Sequence, residues 1–173
     1  DEVWDDTRPL TTDASLQLLT WEDTDGQKTF WHSTAHLMAE AIQSLYPQAK
    51  FTIGPAIDKG FYYDVDFGGQ IPNAKDLMKI EQKMKNLAKR NNKFVRSDVT
   101  KAEATEHYKN NEYKMELIEG LEDGNITFYT QGDFVDLCRG PHIAHTGLIK
   151  AFKLTNIAGA FWRGNDANPQ LTR

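Results

Sequence analysis

Only one cysteine, Cys138, occurs in the 173 residues, so the chain cannot form an internal disulfide and fits a reducing compartment such as the cytosol. No apolar run approaches the ~18 residues that a membrane-spanning helix requires. The opening residues lack the basic-then-apolar pattern of a secretory leader. There is no internal repeat, no low-complexity tract and no long linker. Positive charge is in the minority: 20 Lys and Arg stand against 25 Asp and Glu, a formal net charge of -5. Such a balance argues against nucleic-acid binding by the surface as a whole and requires any such contact to come from a local basic patch. What the chain does have is bulk for a core. Nine Phe, six Tyr and four Trp, with 39% apolar residues, exclude disorder. The length suits one sizeable domain, or one domain with a small appendage. The chain opens on Asp1 with no Met and stops at Arg173, so both ends read as cut from a longer protein.

Hydrophobic periodicity sketches the elements. Leu16, Leu18 and Leu19 mark a strand within Ser15–Trp21. Asp23-Thr24-Asp25-Gly26 reads as a turn that returns Gln27–Phe30 as a hairpin partner. Residues 31–46 read as a helix stopped by Pro47, with Ala35, Met38, Ile42 and Leu45 on its core stripe. Phe51–Ile57 and Phe61–Phe67 form two strands around Asp58-Lys59-Gly60. Phe61, Tyr63, Val65 and Phe67 face inward; Tyr62, Asp64 and Asp66 face outward. Asn73 caps a helix that runs to about Asn92, and Leu77, Ile80, Met84 and Leu87 form its apolar stripe. A strand near Phe94–Val99 follows, then a capping box at Thr100 and Glu103, and a helix over Tyr113–Leu121. Strands near Ile126–Thr130 and Phe134–Cys138 precede a Gly140-Pro141 break and a strand-rich end from Leu148 to Trp162. This order predicts an α+β fold, with helices packed on a mostly antiparallel sheet.

Two short motifs carry chemistry. His32-Ser33-Thr34-Ala35-His36 puts two imidazoles on one helix face at i and i+4, and Cys138-Arg139-Gly140-Pro141-His142 joins a thiol to a third. Three histidines and the cysteine make a donor set that suits tetrahedral Zn²⁺. Read singly, either pair is an unrelated couple of residues. A zincin protease is excluded, because Ser33 stands where its general-base glutamate must follow the first histidine. Asp136 lies two residues before Cys138 and shares its strand face; the plain alternative is an edge or capping carboxylate. Tyr63 reads as core with a polar tip, and Lys114 as a solvated lysine. From Lys75 to Lys101 there are nine basic and three acidic residues. Lys75, Lys79, Lys83, Arg90 and Lys93 gather opposite the apolar stripe, as a face that tracks phosphates or simply a solvated one.

The segments WHSTAHLMAEAI, FTIGPAIDKGFYYDVD, FVDLCRGPH and IAGAFWRG, in this order and spacing, resemble the amino-terminal editing region of bacterial-type threonyl-tRNA synthetases over nearly the whole chain. The resemblance implies two parts: residues 1–30 as the last hairpin of a ubiquitin-like TGS module, and residues 31–173 as an editing domain related to alanyl-tRNA deacylases. It implies hydrolysis of the ester in seryl-tRNA(Thr), with the tRNA acceptor end and the rest of the synthetase as partners, in the cytoplasm and away from membranes. The ligase domain, with its ATP, Mg²⁺ and catalytic zinc, would lie outside this chain. It also implies a monomer here and a homodimer for the full-length enzyme. The editing positions carry over onto His32, His36, Tyr63, Lys114, Asp136, Cys138 and His142. His32 and Lys114 would position or activate water. His36, Cys138 and His142 would shape the pocket, with Asp136 on the seryl amino group and Tyr63 as lining. Editing of this type requires no cofactor, although His32, His36, Cys138 and His142 are the residues that would hold zinc. Two other readings compete: a zinc hydrolase of small molecules, whose binding would be far less salt-sensitive than that of an RNA-dependent esterase, and a non-catalytic zinc or tRNA-binding module.

Overall fold

Burial of two helices against broken antiparallel ladders organises the chain, seen here in a computed structural model that describes residues 2–173. Helix α1 spans Thr24–Leu45, seven residues earlier than the periodicity predicts, and α2 spans Ala74–Ala88. The two pack face to face, and α1 also crosses strands β2 (Ala56–Ile57), β3 (Gly60–Phe61) and β7 (Phe134–Leu137). Ala35, Leu37 and Ile42 of α1 meet Ile80, Met84 and Leu87 of α2 in the main core, which also holds Val65 and Phe134. Leu45, expected on the core stripe, is exposed.

The predicted hairpin ahead of α1 does not form. Residues 2–23 contain neither strand nor helix, and Leu16 and Leu18 lie in solvent. The supposed turn is the first turn of α1 itself. Gly26 is helical, and its missing side chain leaves room for the chain that doubles back over it, since a Cβ would sit 1.9 Å from the Thr20 carbonyl oxygen. The division expected between residues 30 and 31 thus falls inside a helix.

The two strands expected over 51–67 exist as an interrupted ladder. β1 (Lys50–Phe51) pairs with β4 (Val65–Asp66), and β2 pairs with β3. Single bonds from Asp64 N–H to Ile53 O and from Tyr62 N–H to Pro55 O bridge the gaps. Asp64, expected to face solvent, is buried because Arg173 clamps both of its oxygens at 2.8 and 2.9 Å. That clamp fastens β9 (Gln170–Thr172) to β4, completing an antiparallel sheet in the order β1-β4-β9-β8, with β8 at Gly159–Phe161. Residues 149–158, expected to be strand-rich, contain no strand.

A second sheet joins β5 (Val95–Asp98), β6 (Thr127–Gln131) and β7 in that order, with Tyr129 opposite Asp136. Helices α3 (Lys101–His107) and α4 (Glu112–Glu119) close over it through Ala104, Tyr108, Ile118, Ile126 and Phe128. Asn73 caps α2 and the capping box at Thr100/Glu103 opens α3, as the sequence predicts; Asp76 completes a box at Asn73 as well. Left-handed Asn91 follows α2, which ends a few residues before the predicted stop. All paired strands are antiparallel, so the α+β expectation holds.

Candidate active site

Four elements deliver side chains to one buried place. α1 contributes His32, Ser33 and His36. The segment between β3 and β4 supplies Tyr63, α4 supplies Lys114, and β7 with the turn after it supplies Asp136, Cys138 and His142. The turn lies flush against β6. Gly140 has φ 72°, and a Cβ there would stand 2.3 Å from the Tyr129 hydroxyl oxygen, so glycine meets both a conformational and a steric demand.

The first group is a thiol between two imidazoles. Cys138 Sγ is 3.3 Å from His32 Nε2 and 3.5 Å from His142 Nε2, and it accepts the Gly140 N–H at 3.2 Å. The rings of His32 and His142 stack with centroids 4.4 Å apart. Phe94 stacks nearly parallel on His142, at 7°, and Tyr129 meets that ring edge-on. A second group surrounds Asp136. Lys114 Nζ pairs with its Oδ1 at 2.7 Å, and the Tyr63 hydroxyl donates to its Oδ2 at 2.6 Å. His36 links the groups: its Nε2 is 3.4 Å from Asp136 Oδ2, and its ring touches those of both His32 and His142.

Burial sets the protonation states. Desolvation lowers the pKa of His32 and pushes those of His36 and His142 well below the ordinary imidazole value, so all three are neutral at pH 7. The same burial, helped by the charge of Asp136, lifts the Cys138 thiol to about 12. It also holds Tyr63 far above the usual phenol range, as a donor to Asp136. Hydrogen bonding to the Pro141 backbone opposes the shift at His32.

The ligand atoms of His32, His36, Cys138 and His142 lie within 4.8 Å of one another. His36 Nδ1 is buried and has no hydrogen-bond partner among the described residues. Three neutral imidazoles, one of them with an orphaned nitrogen, and a thiol form a donor set that fits Zn²⁺. Beside the cluster opens a cavity of about 350 Å³, with His32, Pro141 and Gly140 on one side and Lys28, Thr29, Pro55 and Ala56 on the others.

All seven residues expected at the site are therefore together. Lys114 departs from its plain reading, because it is 2% exposed and ion-paired rather than solvated. The basic face does not join them. Lys75, Lys79, Arg90 and Lys93 are exposed and Lys83 is half-buried; among the described residues none bonds to the cluster, and Lys79 pairs with Asp76 at 3.1 Å. The sequence reading missed Ser33 as a partner of His142 (2.8 Å) and Phe94 as its stacking platform. It also missed Tyr108, whose hydroxyl accepts the Leu137 N–H. Ser33 had a signal in its position between the two histidines; the others had none.

Residues 126–173, which include Asp136, Cys138 and His142, match the family model described as the threonyl and alanyl tRNA synthetase second additional domain. The threonine–tRNA ligase of Cytophaga hutchinsonii is 55% identical over 99% of this chain and 27% of its own length. That of Flavobacterium psychrophilum is 57% identical over 95% of the chain and 25% of its own length. That of Bacteroides fragilis is 52% identical over 99% and 27%. The chain thus spans about a quarter of the length of the relatives it matches. Along nearly its whole length the chain is therefore similar to about a quarter of these threonine–tRNA ligases, and the second-additional-domain match covers the turn that carries Cys138 and His142.

Proposed function

We propose that this chain is the proofreading part of a threonine–tRNA ligase and hydrolyses the aminoacyl ester of seryl-tRNA(Thr). The observation that carries the reading is the convergence of His32, His36, Cys138, His142, Lys114, Asp136 and Tyr63 beside an open cavity. Proofreading is needed because serine and threonine differ by one methyl group, worth only about 1–3 kcal/mol in a binding pocket. A second, smaller site can admit the serine ester and exclude the threonine ester. The reaction belongs to the cytoplasm, where tRNA is charged. In this reading residues 31–173 are the editing unit and residues 1–30 the end of a preceding TGS-like module. The basic face of α2 tracks the phosphates of the tRNA, and the remainder of the synthetase supplies further grip.

His32 is the base in this reading. It lines the cavity and burial keeps its imidazole neutral, so it can take a proton from water as the oxygen attacks the ester carbonyl carbon. Collapse of the tetrahedral intermediate breaks the bond to the ribose oxygen, which receives that proton and leaves as the tRNA hydroxyl. Lys114, held by Asp136, offers N–H donors to the developing oxyanion or the terminal ribose. Asp136 receives the seryl ammonium, and Tyr63, His36, Cys138 and His142 shape the site from behind His32, the member of the group that lines the cavity. Were Zn²⁺ present, His32, His36, Cys138 and His142 would hold it, and it would polarise the ester carbonyl and acidify a bound water.

The test is deacylation of seryl-tRNA(Thr) and threonyl-tRNA(Thr), with and without a chelator. Selective loss of the seryl ester is expected; equal loss of both, or of neither, overturns the reading. Insensitivity to the chelator marks hydrolysis by the side chains alone, whereas loss restored by Zn²⁺ makes the four-residue cluster a metal centre. His32→Ala and Lys114→Ala are each expected to slow the reaction roughly 100-fold or more. Wild-type rates for both would remove their assigned roles.

A further inference from the structure

Ser33, buried at 0% exposure between the two helix histidines, makes three close contacts and has one proton to give. Its Oγ lies 2.9 Å from the Thr29 carbonyl oxygen, 3.0 Å from the Ile143 nitrogen and 2.8 Å from His142 Nδ1. The Ile143 N–H donates to it. Each of the other two contacts needs a proton in between, because two bare lone pairs at such distances repel. Thr29 O has none to offer, so the serine hydroxyl proton points there. The proton between Ser33 and His142 must then come from the imidazole. The arrangement uses both lone pairs of Oγ and its single hydrogen, and it leaves no hydrogen-bonding capacity at Ser33 unfilled.

We infer that Ser33 is a positioning residue that locks His142 as its Nδ1–H tautomer and thereby turns a bare Nε2 toward Cys138. The consequence is a fixed proton direction in the cluster: a bare His142 Nε2 can only accept at Cys138, so the thiol hydrogen is the one proton that can fill that 3.5 Å contact. Had His142 held its proton on Nε2, the sulfur would be the acceptor there.

The experiment is two-dimensional proton–nitrogen correlation of the histidine side chains in the chain labelled with ¹⁵N, with chelator present. The wild-type protein is expected to show His142 with a protonated Nδ1 and a pyridine-type Nε2. A protonated Nε2 overturns the inference outright, and this arm needs no variant to fold. In Ser33→Ala, His142 is expected to lose the single Nδ1–H signature, because that nitrogen no longer has an acceptor. The rate arm rests on the proposed ester hydrolysis: kcat should fall roughly 10- to 100-fold with KM changed less than twofold. A variant with the wild-type tautomer and rate overturns the positioning role. A wild-type chain that fails to hydrolyse seryl-tRNA(Thr) counts against the proposed function and leaves the tautomer measurement valid.

Discussion

At Asp136 three groups surround one carboxylate that is almost wholly out of solvent: Lys114 Nζ and the Tyr63 hydroxyl, which donate to it, and His36 Nε2 at 3.4 Å. Two of the three are neutral at pH 7, so Lys114 alone balances the charge. Breaking such a pair by neutralising one partner leaves the other charge buried and uncompensated, which costs about 3–5 kcal/mol. Asp136→Asn should therefore lower the unfolding free energy by about 3 kcal/mol in urea titration while keeping the volume of the side chain. An unchanged midpoint would mean that Lys114 escapes to water, contrary to its 2% exposure. The same pair marks where sequence reading stops. The histidines and Cys138 announce themselves by residue type and spacing. Lys114 does not, because a lysine between Tyr113 and Met115 looks solvated until a distant strand brings a carboxylate to it. Asp136 has the right strand face, yet its partners come from three other elements, and no local pattern encodes them.

Helix caps show the corresponding limit one level up. The Asn73 cap and the Thr100/Glu103 box were legible because capping is wholly local: both partners lie within four residues. The start of α1 was not legible. Asp23 gives its carboxylate to Thr20 instead of to the helix, and the residues that look like a turn are helical because the preceding chain folds over Gly26. Asn111 combines both cases. Its side-chain oxygen accepts the Lys114 N–H at 3.1 Å and opens α4, and its amide nitrogen donates to Phe51 O at 2.9 Å, tying α4 to β1. Asn111 thus fixes the turn of α4 that carries Lys114. Asn111→Ala should cost about 1–2 kcal/mol from the lost cap and tie, and should also slow deacylation. Asn73→Ala removes a cap of similar worth, about 1 kcal/mol, from α2, which carries none of the seven site residues. It should lower stability and leave the deacylation rate unchanged. Equal effects of the two variants on rate would show that α4 does not position Lys114.

Across the whole molecule, the buried histidines tie stability to pH. His32, His36 and His142 titrate lower in the folded chain than the ordinary value of 6.5, because burial opposes their charge. Below about pH 6.5 the unfolded chain therefore takes up protons that the folded chain refuses, and stability falls as pH drops. Glu40 acts in the opposite sense. Burial raises its carboxyl from 4.5 to about 7, so between those values the folded chain holds the extra proton and gains stability as pH drops. Each such group contributes at most about 1.4 kcal/mol per pH unit. Three histidines against one glutamate leave a net loss on the order of 2 kcal/mol per unit between pH 6 and 5. Urea unfolding across this range should show the loss, and Glu40→Gln should make it steeper by removing the opposing group. A flat or rising profile would mean that the imidazoles charge freely in the folded state. The open lone pairs on which the proposed hydrolysis depends would then be absent, because the burial that makes the histidines costly to protonate is what keeps them available as bases at neutral pH.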